Sequence, residues 1–193
     1  MADLWQILII MLAIGGLLLY FPTNRVQAPG RWFFHDTWFD EYIPLIPYFV
    51  IPYVALFPYA LFTVPVVWTT EYRYEFLVCI VLAAWSAALA WYFLPAGILR
   101  KRKIGLDFFS QMIVWIYEHD HENNTFPSSH VFYAIICSYY LARALPEFLF
   151  LFVVIGFLIS ISTVFVKQHH VADIVGGIVW AFAAIMIAKT FLG

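Results

Sequence analysis

Two short polar stretches interrupt a chain that is otherwise largely apolar. Residues 127–130 read Pro-Ser-Ser-His, and residues 169–173 read His-His-Val-Ala-Asp. Each stretch lies where a long hydrophobic segment begins. An ionisable side chain at a membrane boundary is costly unless it has a partner or a function. Two imidazoles, a carboxylate and hydroxyl groups at a helix start can together perform phosphoryl transfer.

The second stretch contains a histidine and an aspartate four residues apart, His169 and Asp173. Residues with this spacing lie on one face of a helix, so Asp173 is expected to accept a hydrogen bond from a ring nitrogen of His169. Such a bond fixes the tautomer and raises the basicity of the other nitrogen. An oriented neutral imidazole can then attack phosphorus. The alternative interpretation is a structural His–Asp pair at a helix start.

The first stretch has the composition of a helix start. Proline suits the first helical position, which Pro127 is expected to occupy. The free N–H groups of a first turn form an anion site, to which Ser128 and Ser129 add hydroxyl donors. His130 follows as a candidate general acid that protonates a leaving oxygen. An ordinary capped helix with a hydrogen-bonded histidine is the alternative interpretation.

A transferring phosphoryl group needs cationic or N–H donors around its oxygens. The candidate cations near the two stretches are Arg100, Lys101, Arg102, Lys103 and Lys167. A basic run can instead anchor the chain at lipid headgroups. Which of residues 100–103 contact phosphate is therefore left open.

The composition predicts a polytopic membrane protein. The chain has 193 residues, of which 64% are hydrophobic and 11% charged, whereas soluble domains are about half apolar and a quarter charged. The length suits a single transmembrane domain, residues 1–193. A net charge of −2 gives no reason to expect a nucleic-acid partner. Both cysteines, Cys79 and Cys137, lie in apolar segments and are expected to fill the core.

Runs of about 20 apolar residues predict an all-α bundle of six transmembrane helices. The predicted spans are 4–21, 43–70, 76–98, 127–142, 148–166 and 174–187. The first run is expected to be a retained span, since it lacks the marks of a signal peptide. Half of the chain's ten prolines lie in the second span, which we therefore expect to be kinked. Residues 104–118 are too short to span and predict an interfacial amphipathic helix between spans 3 and 4.

An even number of spans places both termini on one side of the membrane. The basic run after the third span, the start of the fourth and the link between the last two then share the opposite face. The two polar stretches are thereby brought to one membrane face, although about 40 residues separate them in the chain.

These motifs resemble the type 2 phosphatidic acid phosphatase (PAP2) superfamily. Its second motif is Pro-Ser-Gly-His, which residues 127–130 match with serine in place of glycine. Its third motif is Ser-Arg, five residues, His, three residues, Asp, and residues 162–173 match that spacing. The resemblance covers about residues 90–180. The Asn-Thr-Phe-Pro-Ser run at 124–128 is closest to the inositol phosphorylceramide synthase-like branch.

The resemblance implies metal-independent chemistry that needs no cofactor. It makes His169 the nucleophile that forms a phosphohistidine, Asp173 its orienting partner and His130 the general acid. His170 lacks the family's four-residue step to Asp173. The implied phosphate-binding residues are Ser128, Ser129 and a basic residue, with Arg100 and Lys167 as the candidates.

Two departures from the family pattern affect the phosphate-binding residues. Thr163 stands where the third motif has arginine. Lys167 is a point charge and cannot replace a bidentate guanidinium. The first motif is also degenerate, because Lys101 stands where proline is expected and Phe93 where lysine is expected.

The predicted function is hydrolysis of a lipid phosphomonoester or diphosphate drawn from the bilayer. A lipid hydroxyl in place of water would make the same site a phosphotransferase, for which a chain of 193 residues leaves little room. The positive-inside rule favours a cytoplasmic site, whereas the resemblance favours the extracytoplasmic face, which we adopt. The identity of the lipid and the oligomeric state are left open.

Two other classes of function compete with phosphoryl transfer at a histidine. A metal site would draw on the ionisable residues near the two stretches, which are His119, His121, Glu122, His130, His169, His170 and Asp173. A small transporter or lipid-binding membrane protein would use the proline-rich second span as a path. No charged residue lies at the centre of any predicted span, which argues against transport.

Overall fold

The computed structural model describes residues 4–25, 37–100 and 104–192, and every element in these ranges is helical. The helices are α1 (Leu4–Leu18), α2 (Tyr20–Arg25), α3 (Trp38–Tyr42), α4 (Val50–Val54), α5 (Leu56–Trp68), α6 (Arg73–Phe93), α7 (Phe108–His119), α8 (Ser129–Ala144), α9 (Leu149–Phe165) and α10 (Val171–Leu192). Single 3₁₀ turns, Pro47–Phe49 and Pro146–Phe148, lead into α4 and α9. Lys101, Arg102 and Lys103 lie outside the described residues.

Among the described residues, five helical segments are long and apolar enough to cross a membrane, which is compatible with a multi-pass membrane protein. They are Leu4–Arg25, Pro47–Trp68, Arg73–Phe93, Pro146–Phe165 and Val171–Leu192, and they correspond to predicted spans 1, 2, 3, 5 and 6. The predicted fourth span is α8, which has 16 residues. Its length of about 24 Å is less than the roughly 30 Å of a hydrocarbon core. The count of six spans therefore stays a prediction.

Helix α8 is the centre of the bundle. It packs against α5, α6, α9 and α10, and ten of its 16 residues are buried. A helix enclosed in this way presents little surface to lipid, so its apolar composition serves the protein core. Cys79 and Cys137 are both free and buried, as their positions in apolar segments predict.

The proline-rich second span is divided into the turn Pro47–Phe49, α4 and α5. The interruption at Ala55 is slight, because its N–H still donates to the carbonyl of Ile51 at 3.0 Å. Pro65 lies inside α5. The span is therefore subdivided into three helical pieces, and the predicted kink stays a prediction.

Helix α7 forms where the amphipathic segment 104–118 is predicted. Asp107 caps it by accepting a hydrogen bond from the backbone N–H of Ser110 at 3.1 Å. Ile113 and Ile116 are buried and pack in a cluster with Val50. The helix is confirmed, whereas its location at a membrane interface stays a prediction.

Candidate active site

The two polar stretches meet where α8 and α10 begin. The backbone N–H of Ser128 donates to the carbonyl of Asp173 at 3.2 Å, which joins the two helix starts directly. The loop between α9 and α10 brings His169 to the same place. Residues distant in the chain thus form one cluster.

The ring of His169 is held in one tautomer by a backbone carbonyl. Its Nδ1 lies 2.9 Å from the carbonyl oxygen of Thr125. Because a carbonyl only accepts hydrogen bonds, Nδ1 must carry a proton, and in the neutral imidazole Nε2 then keeps its lone pair. The backbone N–H of His169 donates to the carbonyl of Thr163 at 3.2 Å. Backbone and ring are therefore both fixed, in a residue that is only 7% exposed.

The carboxylate of Asp173 contacts both preceding histidines at the start of α10. Its Oδ2 accepts the backbone N–H of His170 at 2.8 Å, as a third helical residue does in a capping arrangement. The same oxygen lies 3.5 Å from Nδ1 of His169. Asp173 is fully buried, and its Oδ1 has no hydrogen-bond partner among the described residues. Its charge therefore acts on His169 at short range, while the hydrogen bond to the ring is made by Thr125.

His130 faces the same cluster from the first turn of α8. Its ring stacks on Tyr53 with centroids 4.1 Å apart, and Phe57 contacts its edge at 6.1 Å. The centroids of His130 and His169 are 6.3 Å apart. Its Nε2 is buried with no partner in the described part of the chain. The two imidazoles are close enough to contact one phosphoryl group.

The two serines lie at the N-terminus of α8. Ser128 is the N-cap residue and is fully buried. Its Oγ has no hydrogen-bond partner within the described residues. Ser129 is the first helical residue and is 9% exposed. The hydroxyl of Ser128 and the N–H groups of this turn are suited to an anion.

Arg100 is largely engaged with the protein. Its Nη1 donates to the carbonyls of Tyr117 and Asp120. Its Nη2 donates to the carbonyl of His121 at 2.9 Å and to Oε1 of Gln168 at 2.7 Å. Only 5% of the side chain is exposed. The structure thus places this candidate phosphate ligand beside the site, with both terminal nitrogens bound to protein oxygens.

The remaining two candidates, Thr163 and Lys167, contact the protein. Thr163 Oγ1 donates to the carbonyl of Ser160 at 2.7 Å. Lys167 has a positive φ of 56°, and its Nζ donates to the carbonyl of Asp40 at 3.1 Å. Thr163 therefore supports the loop that carries His169, and Lys167 joins that loop to α3.

Helix α3 also borders the site, through contacts that were not predicted from the sequence. Asp40 Oδ1 accepts the backbone N–H of Val171 at 2.8 Å and so caps α10. Its Oδ2 accepts from the N–H and hydroxyl of Thr37. Partial burial raises the pKa of Asp40, but the hydrogen bonds from Thr37 and Val171 outweigh it and hold the pKa below its ordinary value. The Thr-x-x-Asp spacing of a capping box is a sequence signal for α3.

The loop before the first polar stretch is bound to the end of the first span. Asn124 Nδ2 donates to the carbonyl of Tyr20 at 3.1 Å and to Oγ1 of Thr23 at 2.9 Å. Asn123 Nδ2 donates to the carbonyl of Asn24 at 2.7 Å. These contacts fix the chain just before Thr125. The first span thereby supports the carbonyl that holds His169.

The fold is all-α, it is compatible with a multi-pass membrane protein, and it encloses a buried cluster of two histidines and an aspartate. The family model of the PAP2 superfamily matches residues 102–187 of the sequence. This range contains His130, His169 and Asp173. The predicted PAP2 resemblance is confirmed, and it suggests a phosphatase-type or phosphotransferase-type membrane protein. The inositol phosphorylceramide synthase-like branch stays a prediction. No curated protein and no solved structure matches the chain.

The ionisable residues considered for a metal site do not gather into one ligand set. Within residues 4–25, 37–100 and 104–192, no group of three or more His, Cys, Asp or Glu side chains could hold an ion. Sensitivity to a chelator remains the experiment that decides whether a metal takes part.

Proposed function

We propose that this protein is a metal-independent lipid phosphate phosphatase that works through a phosphohistidine at His169. The observation that carries the proposal is the 2.9 Å contact between His169 Nδ1 and the carbonyl of Thr125. In the neutral ring it selects the tautomer whose Nε2 carries a lone pair, which is the form a nucleophile needs. His130 and Asp173 beside it supply the other groups that the reaction requires.

The first half-reaction transfers the phosphoryl group to the enzyme. The lone pair of His169 Nε2 attacks phosphorus, an N–P bond forms and the bond from phosphorus to the lipid oxygen breaks. His130 donates a proton to that oxygen as general acid. The negative charge of the bound phosphate favours the protonated form of His130 before transfer. The Asp173 carboxylate, 3.5 Å from the ring of His169, stabilises the positive charge that develops there.

The second half-reaction restores the enzyme. His130, now neutral, accepts a proton from water as the water oxygen attacks phosphorus. The N–P bond breaks, inorganic phosphate leaves and His169 returns to its neutral form. The N-terminus of α8 and the hydroxyl of Ser128 would bind the phosphoryl oxygens in both steps.

The surroundings of the site support a lipid substrate. A lateral groove of about 540 Å³ runs between α3 and α10. Its lining is almost entirely apolar and consists of Thr37, Phe39, Phe126, Val171, Ala172, Val175, Gly176, Val179 and Trp180. Phe126 adjoins Thr125 in the chain, and the Thr125 carbonyl contacts His169. A hydrocarbon chain could lie in the groove while the phosphate reaches His169.

The proposal is tested by phosphate release from a panel of lipid phosphates in the presence of EDTA. Wild type is expected to turn over at least one of them and to be inhibited by vanadate. His169→Ala is expected to lose at least about 10³-fold in turnover, whereas the control His170→Ala retains it. Normal turnover by His169→Ala would overturn the assignment of the nucleophile. Loss of wild-type activity in EDTA would favour a metal enzyme.

Two further measurements separate the alternatives. Phosphotransferase activity predicts a new phospholipid product when a lipid alcohol is added, and the Asn-Thr-Phe-Pro-Ser run at 124–128 is the observation that favours it. A transporter predicts lipid movement in proteoliposomes without phosphate release.

We place the active site on the extracytoplasmic face, and cysteine labelling tests this orientation. Because Cys79 and Cys137 are buried, a variant with the exposed residue His121 changed to cysteine offers one accessible thiol. An impermeant maleimide should label it in intact cells. Labelling only after the cells are opened would place the site in the cytoplasm.

A further inference from the structure

Gln168 lies immediately before the proposed nucleophile and has a side-chain amide whose orientation is fixed. Its Oε1 is 2.7 Å from Nη2 of Arg100. A guanidinium only donates hydrogen bonds, so the oxygen of the amide must face Arg100. The NH₂ group therefore points away from Arg100.

That NH₂ group is buried and unsatisfied. Gln168 is 4% exposed, and its Nε2 has no hydrogen-bond partner among the described residues. A buried donor without an acceptor is costly, and native proteins rarely retain one without a reason. The hydroxyls of Thr125 and Ser128, on the segment whose backbone contacts His169 and Asp173, are buried without partners in the same way among the described residues. All three groups are donors without an acceptor, on the residue before His169 or on the segment that contacts it.

The backbone around Gln168 places it at the site. Its N–H donates to the carbonyl of Thr163 at 3.0 Å, next to the bond from His169 to the same carbonyl. The positive φ of Lys167 turns the chain just before it. The side chain of Thr163 cannot itself supply a cation at the position where the third motif has arginine.

We propose that Gln168 binds the substrate phosphate through its amide NH₂, in place of the arginine that is absent at position 163. Arg100 is a positioning residue, which holds the amide and polarises it through Oε1. The terminal nitrogens of Arg100 donate to protein oxygens. Arg100 therefore acts on the phosphate indirectly, by polarising the Gln168 amide. This inference rests on the proposed function and adds a binding residue to the same site.

The decisive variant is Gln168→Glu. A carboxylate has the same size and still accepts from Arg100, but it presents an oxygen where the NH₂ group stands. If Gln168 binds phosphate, a carboxylate oxygen of the variant would face a phosphate oxygen, and neither can donate a hydrogen bond. The inhibition constants for inorganic phosphate and vanadate should then rise at least about 10-fold. The KM for a lipid phosphate should rise by a similar factor. A purely structural glutamine predicts wild-type constants, because the contact with Arg100 is kept.

Two more variants complete the test. Gln168→Met removes the donor without adding charge and is expected to raise the same constants. It replaces Gln168→Glu as the test variant if Gln168→Glu does not fold. The control is Gln111→Glu on α7, because Gln111 is exposed and its amide donates to the carbonyl of Gly105. Wild-type constants are expected for this control.

The outcomes separate this inference from the proposed function. If wild type is stabilised thermally by vanadate and Gln168→Glu is not, the inference holds even where no lipid is hydrolysed. If wild type hydrolyses a lipid phosphate and Gln168→Glu does so with an unchanged KM and unchanged vanadate inhibition, the inference is overturned while the function stands.

Discussion

The buried polar groups at the two ends of α8 differ in their hydrogen bonding. At the C-terminal end, Arg143 Nη1 donates to both carboxylate oxygens of Glu75, at 2.7 and 2.8 Å. The hydroxyl of Tyr140 also donates to Glu75, at 3.1 Å. At the N-terminal end, Ser128 Oγ and His130 Nε2 are buried without partners in the described part of the chain. One end is saturated with hydrogen bonds and the other is not.

The difference extends beyond α8 itself. Within the described ranges, the buried side-chain atoms without partners all lie on the side of the molecule where α8 and α10 begin. They belong to Asn24, Arg100, Asn123, Thr125, Ser128, His130, Gln168, His170 and Asp173. Because buried polar groups are normally paired, we interpret the saturated end as a structural clamp and the unsaturated end as a binding site. The two ends should therefore respond differently to mutation.

The largest expected effect is the loss of catalysis at the unsaturated end. His130→Asn removes the proposed general acid and should lower kcat by about 10²–10⁴-fold. Its thermal stability should fall only modestly, because the ring loses its stacking on Tyr53 but Nε2 has no hydrogen-bond partner to lose among the described residues. Steady-state kinetics and a melting curve measure the two effects. A large drop in stability with unchanged kcat would reverse the comparison.

The opposite result is expected at the saturated end. Glu75→Gln removes a charge partner of Arg143 and should cost about 1–3 kcal/mol of unfolding free energy. The kcat of the folded protein should stay within about 2-fold of wild type, since the change lies at the far end of α8. Denaturant unfolding in detergent gives the stability. If Glu75→Gln lowered kcat as much as His130→Asn does, the two ends of α8 would not be independent.

A smaller effect on catalysis is expected for a residue that acts through the backbone. Asn124 has a positive φ of 56°, which glycine adopts without strain. Asn124→Gly therefore keeps the backbone conformation and removes the hydrogen bonds to Tyr20 and Thr23. We expect kcat to fall about 3–10-fold with little change in KM, because each lost bond is worth about 1 kcal/mol and the Thr125 carbonyl loses its support. Unchanged kcat would mean that the first span does not help to orient His169.

The smallest effect is expected at the cap of α10. The pKa of Asp40 is lowered in the folded protein from its ordinary value of 3.8. Its stabilisation is therefore fully present above pH 3.8 and is lost as the pH falls through the lower folded value. Asp40→Asn should reduce stability by about 0.5–1 kcal/mol near neutral pH. The difference from wild type should shrink in acid, and melting curves between pH 3 and pH 7 measure it. A constant difference would exclude titration of Asp40 as the cause.

Local features of the sequence predicted much of the fold. Apolar runs located the five segments that are long enough to cross a membrane, because hydropathy depends on neighbouring residues only. The amphipathic pattern at 104–118 correctly predicted a helix, now α7. The status of α8 as a span could not be predicted as securely, because its apolar composition fits either lipid contact or burial among other helices. Only the packing around it distinguishes these environments.

The sequence by itself predicted which residues would carry the chemistry. His130, His169 and Asp173 stand in two polar stretches, and their spacing fits the PAP2 pattern that the family match supports. The spacing does not identify the groups that surround these residues.

The tertiary structure decided how those residues are held. The acceptor for His169 Nδ1 is the carbonyl of Thr125, which lies 44 positions earlier in the chain. Backbone carbonyls are present at every position, so no residue type marks this one. The engagement of Arg100 with Gln168 and the docking of α3 on α10 are likewise contacts between distant segments. Such contacts depend on the packing of the whole bundle, because side chains of many types can fill them.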